Sequence, residues 1–184
     1  GVLLVVTLII FTKTRKFQKD SLVRIVTNYL TFFVIFEALI GAVIVIFEWV
    51  GLNSSLPRII AVPIHLVNTF GLLGSYAILY KILQDDLQNI KNMFNKNFLL
   101  ISSLFLLSGA TGSITALADV LFPSASFVEG FLADFDRTSE VLTRLRILHP
   151  IISSILSIVL YVYATGIRKK YNVSVKPLQI LILI

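Results

Sequence analysis

The sequence predicts an all-α fold, a polytopic transmembrane helical bundle, and three observations predict it. Of its 184 residues, 57% are hydrophobic and only 14% charged, with a mean hydropathy of +0.91. Soluble domains are about half apolar and about a quarter charged. Apolar runs of about 20 residues, enough to cross a ~30 Å hydrocarbon core, recur along the chain. The basic residues gather in alternate loops between those runs.

Six apolar segments follow in order. The first, Gly1 to about Phe11, is too short to span. The second runs from about Ile25 to Val50, the third from about Ile59 to Leu83, the fourth from about Phe98 to Phe122 and the fifth from about Ile147 to Ile167. The sixth starts near Pro177 and stops at Ile184, again too short. Both ends therefore read as cuts inside helices, and the chain as a fragment. No basic n-region or cleavage site opens it, so the first run does not read as a signal peptide.

Loop charge predicts orientation. The first loop holds Lys13, Arg15, Lys16, Lys19 and Arg24, the third Lys81, Lys91 and Lys96, the fifth Arg168, Lys169, Lys170 and Lys176. These are twelve of the 16 basic residues. The other two loops hold Arg58 alone, and Arg137, Arg144 and Arg146 among Asp119, Glu129, Asp134, Asp136 and Glu140. By the positive-inside rule, loops 13–24, 84–97 and 168–176 are cytoplasmic and the acidic loop 119–146 lies outside. In that outer loop Phe127, Phe131, Leu132, Phe135 and Leu142 recur at roughly helical spacing. They predict a short amphipathic helix on the outer surface, either a plain surface helix or a cap over a cavity.

The composition also excludes chemistry. With no cysteine, thiolate metal sites, iron–sulfur clusters and disulfides are absent from these residues. The net charge of +6 sits in short loops, which suits an anionic lipid surface rather than nucleic acid. No phosphate-binding glycine loop, nucleophile triad or carboxylate metal cluster appears.

Candidate site residues are few. The two histidines, His65 and His149, both fall in apolar spans, towards their outer ends. An ionisable group in lipid is costly and faces a partner inside the bundle. Neutral imidazole is also a good axial ligand for heme iron, and two such histidines with no cysteine beside them point to that role. Asn68, Thr69, Leu72 and Tyr76 share a helix face with His65, and Ser153 and Ser157 share one with His149. Small residues there leave room for a flat macrocycle, or let helices pack closely. Gly109 with Ser113, and Ser108 with Gly112, fit the packing role. Arg144 and Arg146, just before His149, suit heme propionates by bidentate pairing, or anchor the helix at the interface. Glu37, mid-membrane, is either a proton relay and polar partner or a protonated structural acid. Glu48 and Trp49 read as interfacial, and Pro63 and Pro150 as local loosening beside the histidines.

Thr12-Lys13-Thr14-Arg15-Lys16 and Thr165-Gly166-Ile167-Arg168-Lys169 form a faint internal repeat, each leaving an apolar helix for a basic loop.

Three stretches together resemble the heme A synthase family: Ile64-His65-Leu66-Val67-Asn68-Thr69-Phe70-Gly71-Leu72-Leu73, Gly112-Ser113-Ile114-Thr115-Ala116-Leu117-Ala118-Asp119-Val120-Leu121-Phe122-Pro123, and Arg144-Leu145-Arg146-Ile147-Leu148-His149-Pro150. Glu37-Ala38-Leu39-Ile40-Gly41-Ala42 stands where members usually carry Gln, a mild departure. The resemblance spans essentially the whole chain and implies parts of two pseudo-symmetric four-helix bundles, from mid helix two into helix seven. Residues 1–92 then belong to the N-terminal, catalytic bundle with His65, and residues 93–184 to the C-terminal bundle with His149 and heme b. The implied reaction, in a prokaryotic plasma membrane, oxidises the C8 methyl of heme O to a formyl group through successive hydroxylations. Asn68, Thr69, Arg144 and Arg146 are then cofactor-binding, and His65 and His149 iron ligands. The expected catalytic Glu lies upstream of Gly1, with Glu37 a second candidate. The repeat predicts a further His about four residues before Gly1. Heme O synthase and an electron donor are the partners such a role implies. A non-catalytic cytochrome b carrying electrons is the runner-up, and a small-molecule transporter a third reading.

Overall fold

The structure, a computed structural model, describes residues 1–19, 21–84 and 95–171. Every regular element among them is a helix: α1 Val2–Thr14, α2 Leu22–Ile46, α3 Leu56–Leu83, α4 Lys96–Leu121, α5 Phe127–Phe135, α6 Val141–Leu145 and α7 Leu148–Tyr171. Four stretches are long and apolar enough to cross a membrane: Leu22–Ile46, Leu56–Leu83, Lys96–Leu121 and Val141–Ile167. The protein is a multi-pass helical membrane protein. The sixth apolar segment and part of the third loop lie outside the described residues. The chain divides into two compact units, Gly1–Met93 and Phe94–Ile184.

In the first unit α2 packs against both α1 and α3. Val26, Leu30 and Val34, four residues apart, form one buried stripe of α2 against Leu72 and Leu79 of α3. The rest of α2 shows Tyr29, Phe32, Leu39 and Ile46 outward. A helix apolar on every face needs lipid, not water, on the faces its neighbours leave uncovered. Thr7 and Tyr76 share a 2.6 Å hydroxyl–hydroxyl hydrogen bond that ties α1 to α3. At Gly71 the helices come so close that an added Cβ would lie 2.7 Å from the Phe33 ring.

Apolar character continues to Val50, yet α2 stops at Ile46. The Glu48 N–H donates to Val45 O (3.1 Å) and the Trp49 N–H to Ile44 O (2.8 Å). This is a Schellman closure, which needs a left-handed residue after the cap. Glu48 fills it at φ 55°, where glycine is usual. Glu48 and Trp49 thus end the helix. The turn that follows is held by Arg58, which donates to Gly51 O and Asn53 O at 2.6 Å each. α3 then runs unbroken through Pro63.

In the second unit α4 packs on α6 and α7, and α5 on α6. Asn95 Oδ1 caps α4 by accepting from the Phe98 N–H at 2.9 Å. Ser126 caps α5 through the Glu129 N–H, while the Glu129 carboxylate accepts from the Ala125 N–H. Such reciprocal bonds fix where α5 begins. The expected amphipathic helix is present as α5 but does not reach Leu142, which lies on the separate α6. The chain breaks at Asp136, whose carboxylate accepts from the Thr138 N–H and hydroxyl at 2.8 Å each. These bonds hold the Asp136 carboxyl below its ordinary pKa.

Candidate functional site

Each unit contains one histidine, and each imidazole meets a different kind of acceptor. In the first unit Glu37 of α2 faces His65, Asn68 and Thr69 of α3. Asn68 Nδ2 donates to Glu37 Oε2 and Thr69 Oγ1 to Glu37 Oε1, both at 2.6 Å. Asn68 Nδ2 also donates to the Phe33 carbonyl at 2.9 Å. A carbonyl can only accept, so this second bond fixes the amide with its nitrogen towards Glu37. His65 Nδ1 lies 3.4 Å from Glu37 Oε2, within ion-pair reach but outside hydrogen-bond geometry, and has no other polar partner. The helical spacing read from the sequence accounts for this cluster, because residues three and four apart on α3 present to the same neighbour. Of the remaining residues on that face, Leu72 is in the core and Tyr76 is bonded to Thr7.

In the second unit His149 sits at the start of α7, with Nδ1 3.0 Å from the Ser108 carbonyl of α4. A carbonyl lone pair requires a proton on Nδ1, which leaves the lone pair on Nε2. The ring lies against Gly112: an added Cβ there would be 3.0 Å from its Cε1 and 3.2 Å from Nδ1. Ser153 Oγ donates to the His149 carbonyl at 2.7 Å and shares a 2.9 Å bond with Ser108 Oγ. Sequence reasoning assigned Ser108 and Gly112 to helix packing alone. The packing is real, but what Gly112 admits is the imidazole itself. A glycine one helix away carried no signal of that.

The two arginines part company. Arg146 is buried, and its guanidinium is already engaged. Nε donates to Asp134 Oδ1 and Nη1 to Asp119 Oδ1, both at 2.8 Å, and Nη2 to Gly130 O at 3.2 Å. It ties α4 and α5 to the start of α7. Neither reading of Arg146 from the sequence included these carboxylates, although the acidic loop 119–146 was their visible source. Arg144 has a buried Nε without a hydrogen-bond partner. Beside Arg146, α5 forms one wall of a cavity of about 950 Å³, lined also by Thr115, Asp119, Phe127, Phe131 and Ile151. His149 is not part of that lining.

The donor set suits heme. At His149 the Ser108 carbonyl holds Nδ1 and leaves Nε2 over, the arrangement by which an acceptor behind the ring orients a metal-ligating histidine, while His65 faces Glu37 without a hydrogen bond. An unpartnered arginine nitrogen suits a carboxylate such as a propionate. Clusters of three or more His, Cys, Asp or Glu side chains able to hold a free metal ion are absent among the described residues. A macrocyclic iron needs only one such ligand from a given helix.

A helical membrane protein with one histidine in each of two units is the class this describes. The chain belongs to the COX15-CtaA family of cytochrome oxidase assembly proteins, the heme A synthase family, which it matches over residues 1–183. It is also similar to two curated proteins named protoheme IX farnesyltransferase, from two strains of Thermus thermophilus. Each is 34% identical over 157 residues, which cover 83% of this chain and 25% of the relative. The chain thus spans about a quarter of the length of those relatives. No solved structure matches it significantly.

Proposed function

We propose that this chain is a core portion of a heme A synthase, which oxidises the C8 methyl of heme O to a formyl group for a-type terminal oxidases. The observation that carries the reading is the paired histidine geometry. His149, held at Nδ1 by the Ser108 carbonyl, keeps Nε2 for iron, and His65 lies beside Glu37 at 3.4 Å on a face shared with Asn68 and Thr69. The first unit, with His65, Asn68 and Thr69, holds the substrate heme O. The second, with His149 and Arg144, holds heme b. When bound, heme b supplies a one-electron relay.

The residues have distinct tasks. His65 binds the substrate's iron and so fixes the macrocycle relative to α3. Glu37 gathers Asn68 and Thr69 and faces the ring of His65. Arg144 receives a propionate at the outer edge. Arg146, committed to Asp119 and Asp134, braces α5 against α7. Basic loops 13–24, 84–97 and 168–176 face the cytoplasm of a prokaryotic cell, and α5 lies outside. The similarity to proteins named for farnesylation of protoheme IX supports a place in heme tailoring, since that step yields heme O. The matching stretch is a quarter of their length. Heme O synthase and an electron-transfer partner are the interactions this role requires.

The test is an absorption spectrum of the full-length protein in detergent, with His65→Ala and His149→Ala alongside, and chromatography of the extracted heme. Heme bands that weaken in each variant, with heme A or its hydroxylated precursor in the extract, are expected. Heme b alone would assign an electron-carrying cytochrome instead. Absence of heme after heme-replete expression would overturn both.

A further inference from the structure

Helix α5 has an apolar face that water alone does not suit. Phe127, Val128, Phe131, Leu132 and Phe135 are all exposed, from 49% at Phe131 to 87% at Phe127. The three rings stand in a row, with centroids 6.4 Å apart between Phe127 and Phe131 and 5.1 Å between Phe131 and Phe135. A contiguous patch of this kind marks a surface with an occupant. Connectivity and packing point to lipid. α5 lies in the stretch that joins the spans Lys96–Leu121 and Val141–Ile167. Arg146 fastens its Gly130 and Asp134 to Asp119, near the end of the first of these spans. Phe127 and Phe131 share the cavity of about 950 Å³ with Ile151 and Ile155 of α7. Both isoleucines are exposed on a span, where exposed apolar side chains meet lipid. The aromatic face of α5 thus continues the lipid-facing surface of α7.

Charge narrows the choice of lipid. Interfacial helices that bind anionic membranes carry Lys and Arg on their polar face. α5 has neither, and residues 122–140 hold Glu129, Asp134, Asp136 and Glu140 against Arg137 alone. In the cavity lining two carboxylates, Asp119 and Asp134, meet one guanidinium, that of Arg146. Asp134 is largely enclosed, while Asp119 gives Arg146 one oxygen and stays 58% exposed. The cavity therefore offers a free acceptor at Asp119, and its acidic surroundings disfavour a lipid with net negative charge. We propose that α5, with the adjoining ends of α4 and α7, binds one phospholipid with an ethanolamine head, its acyl chain against Phe131, Ile151 and Ile155 and its ammonium donating to Asp119. A primary ammonium brings three N–H donors to that carboxylate. A glycerol head leaves the phosphate charge of the lipid uncompensated among the acids. The site uses neither histidine, so it stands apart from heme ligation.

The experiment is native mass spectrometry of the full-length protein released from detergent micelles. The protein is first equilibrated with an equimolar mixture of dioleoyl phosphatidylethanolamine, phosphatidylcholine and phosphatidylglycerol. One phosphatidylethanolamine is expected to stay bound, in preference to phosphatidylglycerol by about fivefold, the most that a single exposed ion pair provides. Phosphatidylcholine, with no N–H to donate, should fall between. Asp119→Asn should keep a bound lipid and lose the preference among heads. Ile151→Trp fills the cavity from an exposed position and should lower the retention of all three lipids alike. Both substitutions are at exposed side chains, so the fold should survive them. Retention of phosphatidylglycerol equal to or above that of phosphatidylethanolamine would overturn the inference. So would no retained lipid, a preference that survives Asp119→Asn, or retention unchanged in Ile151→Trp. A co-purified lipophile without a phosphate, held in place of the phospholipid, would overturn it too.

Discussion

Arg146 is the residue whose removal α5 and α6 should tolerate least. Its side chain is 8% exposed, as against 14% for Asp134 and 58% for Asp119. An exposed pair contributes up to about 1 kcal/mol, so Asp119→Asn should cost little. Arg146→Met keeps most of the volume but strands the Asp134 carboxylate with its charge unpaired. Breaking a buried pair from one side costs roughly 3–5 kcal/mol. At about 1.4 kcal/mol per decade, that exceeds a hundredfold in the equilibrium between docked and open α5. Amide hydrogen exchange of residues 127–145 in detergent, read by mass spectrometry, measures this opening. Arg146→Met should accelerate exchange in α5 and α6 more than a hundredfold, or to the unprotected rate if that comes first. Asp119→Asn should do so less than tenfold, with Asp134→Asn between. Removing both partners, as Arg146→Met with Asp134→Leu, should recover much of the protection, because no buried charge is left alone. Equal effects of Asp119→Asn and Arg146→Met, or unchanged α5 protection in Arg146→Met, would refute the claim that the buried limb of the network holds the helix down.

Other consequences are smaller or more local. Tyr76→Phe removes the hydroxyl contact to Thr7 and should destabilise the first unit by about 1 kcal/mol, measured by thermal unfolding in detergent. Gly71→Ala puts a Cβ 2.7 Å from the Phe33 ring and should cost roughly 1–3 kcal/mol in the same assay. Gly112→Ala gains helix propensity, about 1 kcal/mol, but pushes on the His149 ring. Overall stability should therefore hardly change, while the heme content assigned to the His149 site falls, as heme-to-protein stoichiometry would record. The Asp136 carboxyl is held below its ordinary pKa by Thr138, so its contribution is present above the ordinary Asp value of about 4. That contribution is lost as pH falls through the lower, folded value. Hydrogen exchange of residues 136–140, corrected for intrinsic rate, should show the turn loosening on acidification below pH ~4, and not in Asp136→Asn.

How far the sequence reached can be judged residue by residue. Composition and the length of the apolar runs are one-dimensional properties, and lipid enforces them. A span must satisfy its own backbone hydrogen bonds, so an apolar run of the right length becomes a helix. The ends of α2 and α5 were harder, because they depend on local backbone chemistry. Glu48 takes a left-handed conformation that its residue type does not announce, and Asp136 breaks a pattern that apolar spacing alone would carry on to Leu142. Asn68 and Thr69 were legible beside His65 because i, i+3 and i+4 spacing is a property of a single helix.

What met those faces was not legible. That Glu37 stands opposite His65, that Gly112 receives the ring of His149, and that Arg146 is spoken for by Asp119 and Asp134 depend on the rotation of one helix against another. In water an apolar stripe would fix that rotation. Here the helices are apolar nearly all round and lipid is as good a neighbour as leucine, so the phase is set by close packing and a few hydrogen bonds. The spans, the charge of the loops and the polar residues that lie within the apolar runs follow from the order of residues alone. Tertiary structure decided which oxygen each imidazole faces, because only side-chain packing between helices fixes their relative rotation.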